Sequence, residues 1–371
     1  MLKKTILIIV LIISFFGLTF PVFGEDKAEE PKKEEQSKNC KNRIVGAPVI
    51  YYTPETRLAY GGAASFVTRF WGCENGTRPS SFSPLMIFTQ ERQFKALLKN
   101  EIYFKNNSYR LLTEIKTEKY PNKFFGVGNN TLESDKELYT SRSTSFLISL
   151  SKGLGKGFNI GMEYYYSHWN IIEKEEGGLL DSGLYSGSNS GTLSAFGFLV
   201  NHDTRDNIYS ATTGDFVEFN TRIYPKFLGS TYSFATFSLD ARKYFSVFKS
   251  HVIALQGLLK VQSGTVPFMN YAQLGGQYLM RGYFEGRYRD KNLLAIQTEY
   301  RMPLVWRFDI VGFLGLGNVS SQFDTELFKF KPSYGLGIRF MFDKRERIQV
   351  RLDYGWGKGT NGFYASIFQA F

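Results

Sequence analysis

The 371-residue chain carries 35 Phe, 23 Tyr and 36 Gly and a formal charge of +11, yet its mean hydropathy is slightly below zero. Beyond the N-terminal residues, no stretch approaches the ~18 uncharged apolar residues that a membrane helix needs. Such a composition fits strands with one apolar and one polar face. A soluble β-sandwich is the alternative, but roughly 320 residues of strand without a helical layer is large for one.

Lys3 and Lys4 precede an apolar run at 6–20, and Val22-Phe23-Gly24 offers a cut after Gly24. Residues 1–24 therefore read as a signal peptide; for an anchor the run is short, and charged sequence follows at once. Losing Lys3 and Lys4 with it lowers the formal charge from +11 to +9. That balance on an exported chain suits anionic headgroups or a lipopolysaccharide surface and not nucleic acid. Residues 25–43 begin EDKAEEPKKEEQSKNCK, charged at nearly every position, which predicts a disordered periplasmic spacer.

From Ile44 to Phe371 the pattern changes to period two, with about sixteen strand candidates. Ile296, Thr298 and Tyr300 oppose Gln297, Glu299 and Arg301; Leu352, Tyr354 and Trp356 oppose Arg351 and Asp353. Charges on the second face mean that it is wet. A closed antiparallel transmembrane β-barrel, apolar outside and polar inside, accommodates both faces without open edges in lipid. Connections alternate in length. Short ones lie at 152–156, 246–250, 302–306 and 343–347, and long ones at 121–138, 170–190, 265–290 and 318–331. Short periplasmic turns and long outer loops predict that alternation, and an even strand count puts both termini in the periplasm.

Residues 274–284 read LGGQYLMRGYF. With 45–62 (VGAPVIYYTPETRLAYGG), 124–130 (FFGVGNN), 201–214 (NHDTRDNIYSATTG) and 351–355 (RLDYG), this segment resembles motifs of the BamA/TamA-like superfamily, the bacterial surface antigen barrels. The resemblance spans nearly the whole chain after the spacer. It implies a long outer loop folded into the lumen, with Arg281-Gly282-Tyr283 at its tip and Arg281 paired to an acid on the wall. Glu299 is the first candidate partner and Asp353 the second. One departure is GFLGLGNV at 312–319, where Gly315 stands at about the place of an acid common in the family. Another is the spacer, too short for the polypeptide-transport-associated domains of most members.

The chain ends YASIFQAF, and the terminal aromatic Phe371 is similar to the tail that assembly machinery reads on barrel substrates, although Gln369 replaces the usual apolar residue. The resemblance further implies a weak seam between first and last strands. Gly46 packs no side chain and Pro48 donates no N–H, so both weaken the first strand's closure against 362–371. The alternative is that Pro48 precedes the strand. The two cysteines, Cys40 before the first strand and Cys73 after the second, fall at one rim in an oxidising compartment, and a Cys40–Cys73 disulfide is expected.

Enzyme chemistry is not expected. His168, His202 and His251 lack partners at metal-ligand spacing, and no G-x-S-x-G elbow occurs. Glu173, Glu175, Glu176 and Asp181 read as a solvated outer loop. No cofactor or metal is implied. The leading function is an insertase or translocase moving polypeptide, or lipid, into or across the outer membrane. Its partners would be outer-membrane lipid, lipopolysaccharide and an unfolded barrel or secreted polypeptide client. A passive solute channel and a surface-exposed antigen or adhesin are the rivals.

Overall fold

The structure, a computed structural model, describes residues 42–71, 77–248, 250–344 and 347–371. The expected signal peptide, nearly all of the spacer and the Cys40–Cys73 pair lie outside the described residues.

The strands are β1 (Arg43–Thr53), β2 (Arg57–Thr68), β3 (Ser80–Thr89), β4 (Phe94–Tyr103), β5 (Arg110–Phe124) and β6 (Glu137–Gly155). They continue as β7 (Phe158–Lys174), β8 (Ser190–Asp203), β9 (Gly214–Tyr224), β10 (Phe234–Val247), β11 (His251–Gly264) and β12 (Ala272–Leu274). The last are β13 (Tyr288–Asp290), β14 (Asn292–Val305), β15 (Phe308–Ser320), β16 (Lys331–Asp343), β17 (Ile348–Gly357) and β18 (Thr360–Ile367). Sixteen of them close one antiparallel barrel, while β12 and β13 pair with each other inside the β11–β14 connection.

The period-two pattern becomes an inside and an outside. On β14, Gln297, Glu299 and Arg301 are buried, whereas Ile296 and Tyr300 are exposed. Apolar side chains such as Met162 (71% exposed), Leu314 and Leu336 form an outer belt, a surface that needs lipid rather than water. No helix among the described residues is long and apolar enough to cross a membrane. At the end opposite the termini, the long connections fold over the mouth and pack on one another. Phe124, Tyr139, Leu180 and Phe268 form one such cluster.

Closure is uneven. β1 pairs with β2 from Arg43↔Val67 to Thr53↔Arg57, but it has a single registered pair with β18, Tyr52↔Ala365. Gly46 and Pro48 lie within β1, opposite Ala64 and Gly62, so Pro48 does not precede the strand. Phe371 departs from its expected place in the seam. β18 stops at Ile367, and Phe368, at a left-handed φ of 69°, turns the chain inward. The cause is polar: Arg339 Nε donates to Gln369 Oε1 at 2.9 Å, and Arg301 Nη2 donates to the terminal carboxylate of Phe371 at 2.9 Å. These wall arginines need acceptors, and the tail supplies them. A Gln third from the end thus belongs to a lumen tail, not to a strand facing lipid.

Candidate functional site

The 265–291 loop enters the barrel and lies along its inner wall. Leu274, Met280, Tyr283 and Tyr288 pack on Leu293, Ala295 and Val319 of β14 and β15. Its tip rests directly on backbone. A Cβ on Gly282 (φ +108°) would lie 2.6 Å from the Trp356 carbonyl carbon, so both the conformation and the contact require glycine. Gly282 N–H donates to Tyr364 Oη of β18 at 3.0 Å, and Tyr283 Oη accepts the Lys358 N–H at 2.8 Å.

Arg281 is 1% exposed. The structure brings it to both candidate acids at once: Nη2 donates to Glu299 Oε1 and Nη1 to Asp353 Oδ2, each at 2.5 Å. Its guanidinium carbon lies 3.6 Å from the centre of the Phe313 ring, a favourable stack for a desolvated cation. Burial alone would lower the Arg281 pKa; the two carboxylates outweigh it and hold the group above its ordinary value. The expected pairing with one acid or the other is therefore a bridge between β14 and β17 through both.

Three more arginines complete the cluster. Arg301 Nε donates to Glu299 Oε2 at 2.9 Å, Arg339 pairs with Asp353, and Arg351 Nη1 lies 3.6 Å from Asp353 Oδ2. Four guanidiniums thus surround two side-chain carboxylates, Arg301 also meets the terminal carboxylate of Phe371, and the remaining donors turn to neutral oxygens. Arg351 donates to the Gln277 carbonyl at 2.9 Å, and Arg301 to the Ala211 carbonyl at 3.2 Å. The network therefore joins the lumen loop, the C-terminal tail and the 204–213 turn. The parity of β14 and β17 already put Arg301 and Arg351 on the acid-bearing faces. Arg339 sits on the same inward parity of β16, a signal left unused.

Gly315 also has a physical reason. A Cβ there would lie 2.9 Å from Met280 Sδ, so the loop residue before Arg281 fills the space that a larger side chain would take. His202 Nδ1 lies 3.2 Å from Asp215 Oδ1, across the β8–β9 pair. Among the described residues no group of three or more His, Cys, Asp or Glu could hold a metal.

On the other side of the seam, the β1–β2 turn reaches the same loop. The Glu285 N–H donates to Glu55 Oε1 at 2.7 Å, and Glu55 is buried. Gln93 Nε2 bonds the carbonyls of Glu55 and Pro121, each at 3.0 Å, which ties that turn to β5. The loop therefore bonds to both lips of the β1–β18 seam.

A closed sixteen-strand barrel with an apolar belt and a loop clamped in its lumen defines a transmembrane protein of the bacterial outer membrane. Residues 85–371 match the Omp85 superfamily domain, and the chain belongs to that superfamily. No curated protein matches it. Among solved structures, it is similar to BamA from Haemophilus ducreyi lacking POTRA domains 1–3, at 14% identity and a TM-score of 0.63. The match covers 88% of this chain and 71% of that one. It is also similar to CdiB from Acinetobacter baumannii (14% identity) and from Escherichia coli (12%), both with a TM-score of 0.57. Those matches cover 88% of this chain, which spans 59% and 63% of the respective CdiB chains.

Proposed function

We propose that this protein is an insertase or translocase that moves polypeptide, or lipid, into or across the outer membrane. Both termini lie in the periplasm, and the β1–β18 seam is the lateral route. The observation that supports this most is the single registered pair, Tyr52↔Ala365, between β18 and a β1 that pairs fully with β2. At membrane depth each unmet backbone N–H or C=O costs several kcal/mol unless water or another strand satisfies it. Most of one edge of β1 is therefore available to an incoming strand. A passive channel would need a clear water path, and the clamped loop and inward tail weigh against it.

Cysteines replacing Tyr51 and Ser366, one step along the register from Tyr52–Ala365, would lock the seam. Oxidised protein in liposomes is expected to lose its acceleration of barrel-client insertion and to regain it on reduction. Equal rates in the locked and reduced states would remove the seam from the mechanism.

A further inference from the structure

Several cations of the lumen wall are matched by acids: Arg222 by Glu163, Arg242 by Asp240 and Lys243 by Asp215. A group at the outer mouth is matched far less. Arg287 of the lumen loop, Lys331 at the outer end of β16 and Lys358 in the β17–β18 turn gather around the Tyr283–Tyr288 ring pair. The Arg287 guanidinium carbon lies 4.5 Å from the centre of the Tyr288 ring, and Lys331 Nζ lies 4.4 Å from it. The Tyr283 ring is 5.9 Å away. Its hydroxyl donates to the Pro332 carbonyl at 2.9 Å and accepts the Lys358 N–H at 2.8 Å. One hydroxyl thus draws together the backbones that carry Lys331 and Lys358.

Among the described residues a single acid answers these three charges. Glu133 lies 3.2 Å from Arg287 Nε, with its side chain 68% exposed, so it can turn away at little cost. Lys331 donates to the neutral Asn129 Oδ1 at 3.1 Å, and the charges nearest it are those of Lys358 and Arg287. Like charges held together repel, and an anion relieves them. Phosphate suits a mixed set of guanidinium and ammonium donors. The height of the cluster indicates where such an anion would come from. Tyr334 and Trp356 pair in register on the lipid face of β16 and β17, ring centres 5.8 Å apart. Outward aromatic residues of this kind mark the headgroup level. Lys331 and Lys358 lie further out along the same strands, by roughly 7–10 Å. Lipid phosphates occupy that level.

We propose that Arg287, Lys331 and Lys358 bind a phosphate group, presented by the headgroup of a lipid in the outer leaflet. Such a phosphate bonds the lumen loop through Arg287 and the wall through Lys331 and Lys358, so the lipid fastens the loop at the mouth. The site goes beyond the transport function proposed above and does not depend on it. It is the same whether or not β1 and β18 part, and its loss would leave the seam untested and intact.

The test uses the full-length protein refolded in detergent. The probes are diphosphoryl lipid A, the same lipid with its phosphates removed, and inorganic phosphate. Native mass spectrometry measures binding, and the gel temperature that converts folded to unfolded band reports whether the loop is fastened. Diphosphoryl lipid A is expected to bind about tenfold tighter than the dephosphorylated lipid and to raise that temperature. Lys331→Gln combined with Lys358→Gln should abolish both effects. Lys358→Gln alone, at an exposed turn position where folding is not at stake, should reduce the preference about threefold. Lys329→Gln is the control, because that rim lysine already pairs with Glu326 at 2.7 Å; it should leave binding unchanged. Equal binding of the two lipids would overturn the site, as would a preference that survives both the single and the double substitution. Inorganic phosphate that binds and protects as strongly as diphosphoryl lipid A would overturn the lipid as its source.

Discussion

A Cβ on Gly357 would lie 2.6 Å from the ring of Tyr283, and one on Gly355 would lie 2.7 Å from the carbonyl carbon of Arg281. Two alternate positions on the inner face of β17 are bare, and the loop tip fills the trough they leave. Gly355→Ala should lift the Arg281 segment off the wall at a cost of ~1–3 kcal/mol, the usual range for overpacking. Gly62, whose added Cβ would meet nothing within 4 Å, provides the control. On gels, the temperature converting folded to unfolded band should fall for Gly355→Ala and stay put for Gly62→Ala. Equal behaviour of the two would mean that the trough does not hold the loop.

Charge counting ranks the substitutions in the buried network. With four guanidiniums around two side-chain carboxylates and the chain's terminal carboxylate, Asp353→Asn leaves Arg281, Arg339 and Arg351 facing a neutral group. Arg281→Ala instead removes one surplus cation. Breaking a buried pair by deleting one partner costs ~3–5 kcal/mol. Asp353→Asn should therefore destabilise more than Arg281→Ala, and in a double-mutant cycle the pair should couple by more than about 1 kcal/mol. Urea unfolding of the refolded barrel measures this, and additive effects would exclude a direct interaction.

Much of this arrangement was legible in the residues because a strand sorts its side chains by parity. Glu299 and Asp353 fall on charged faces that only a wet interior can accept, and an arginine at a loop tip between long strands needs such an acid. What stayed hidden depends on contacts remote in sequence. Gly315 reads as a lost acid until Met280 is seen beside it. Gln369 reads as an imperfect strand end until Arg339 is seen reaching for its side-chain oxygen. Strand parity said nothing about where β18 would leave the wall, because tertiary hydrogen bonds decide that.

The contact between Glu285 and Glu55 should titrate. Burial raises the pKa of Glu55 even though it accepts the Glu285 N–H. Glu285 opens only to lumen water; the surrounding wall, and then the Glu55 charge, push it up to about 7. A carboxyl whose folded pKa is raised binds its proton more tightly when folded, so the stability it confers is present at low pH and lost as pH rises. Heat resistance should thus decline between pH 4.5, the ordinary value, and about 7. Glu285→Gln should flatten that slope. A slope unchanged by Glu285→Gln would assign the titration to other groups.

The inward tail yields the last prediction. Gln369 meets Arg339 and Gln349, Phe371 meets Arg301, and Tyr209 of the 204–213 turn stacks on Phe368 with ring centres 4.8 Å apart. These bonds hold the last residues off the edge of β1, where continued pairing of β18 would otherwise carry them. Gln369→Leu strands the Arg339 Nε donor in a buried site, at a cost of ~1–3 kcal/mol, and removes what draws the tail inward. Its tail should move toward the seam and extend pairing with β1, widening the lumen at the terminal end. Planar-bilayer conductance of in vitro refolded Gln369→Leu protein should rise, and cysteines replacing Val49 and Phe368, which continue the Tyr52–Ala365 register, should crosslink more readily than in the parent. Refolding in vitro keeps any role of the tail in cellular assembly out of the comparison. Unchanged conductance together with unchanged crosslinking would show that the tail is held inward by something other than the wall arginines.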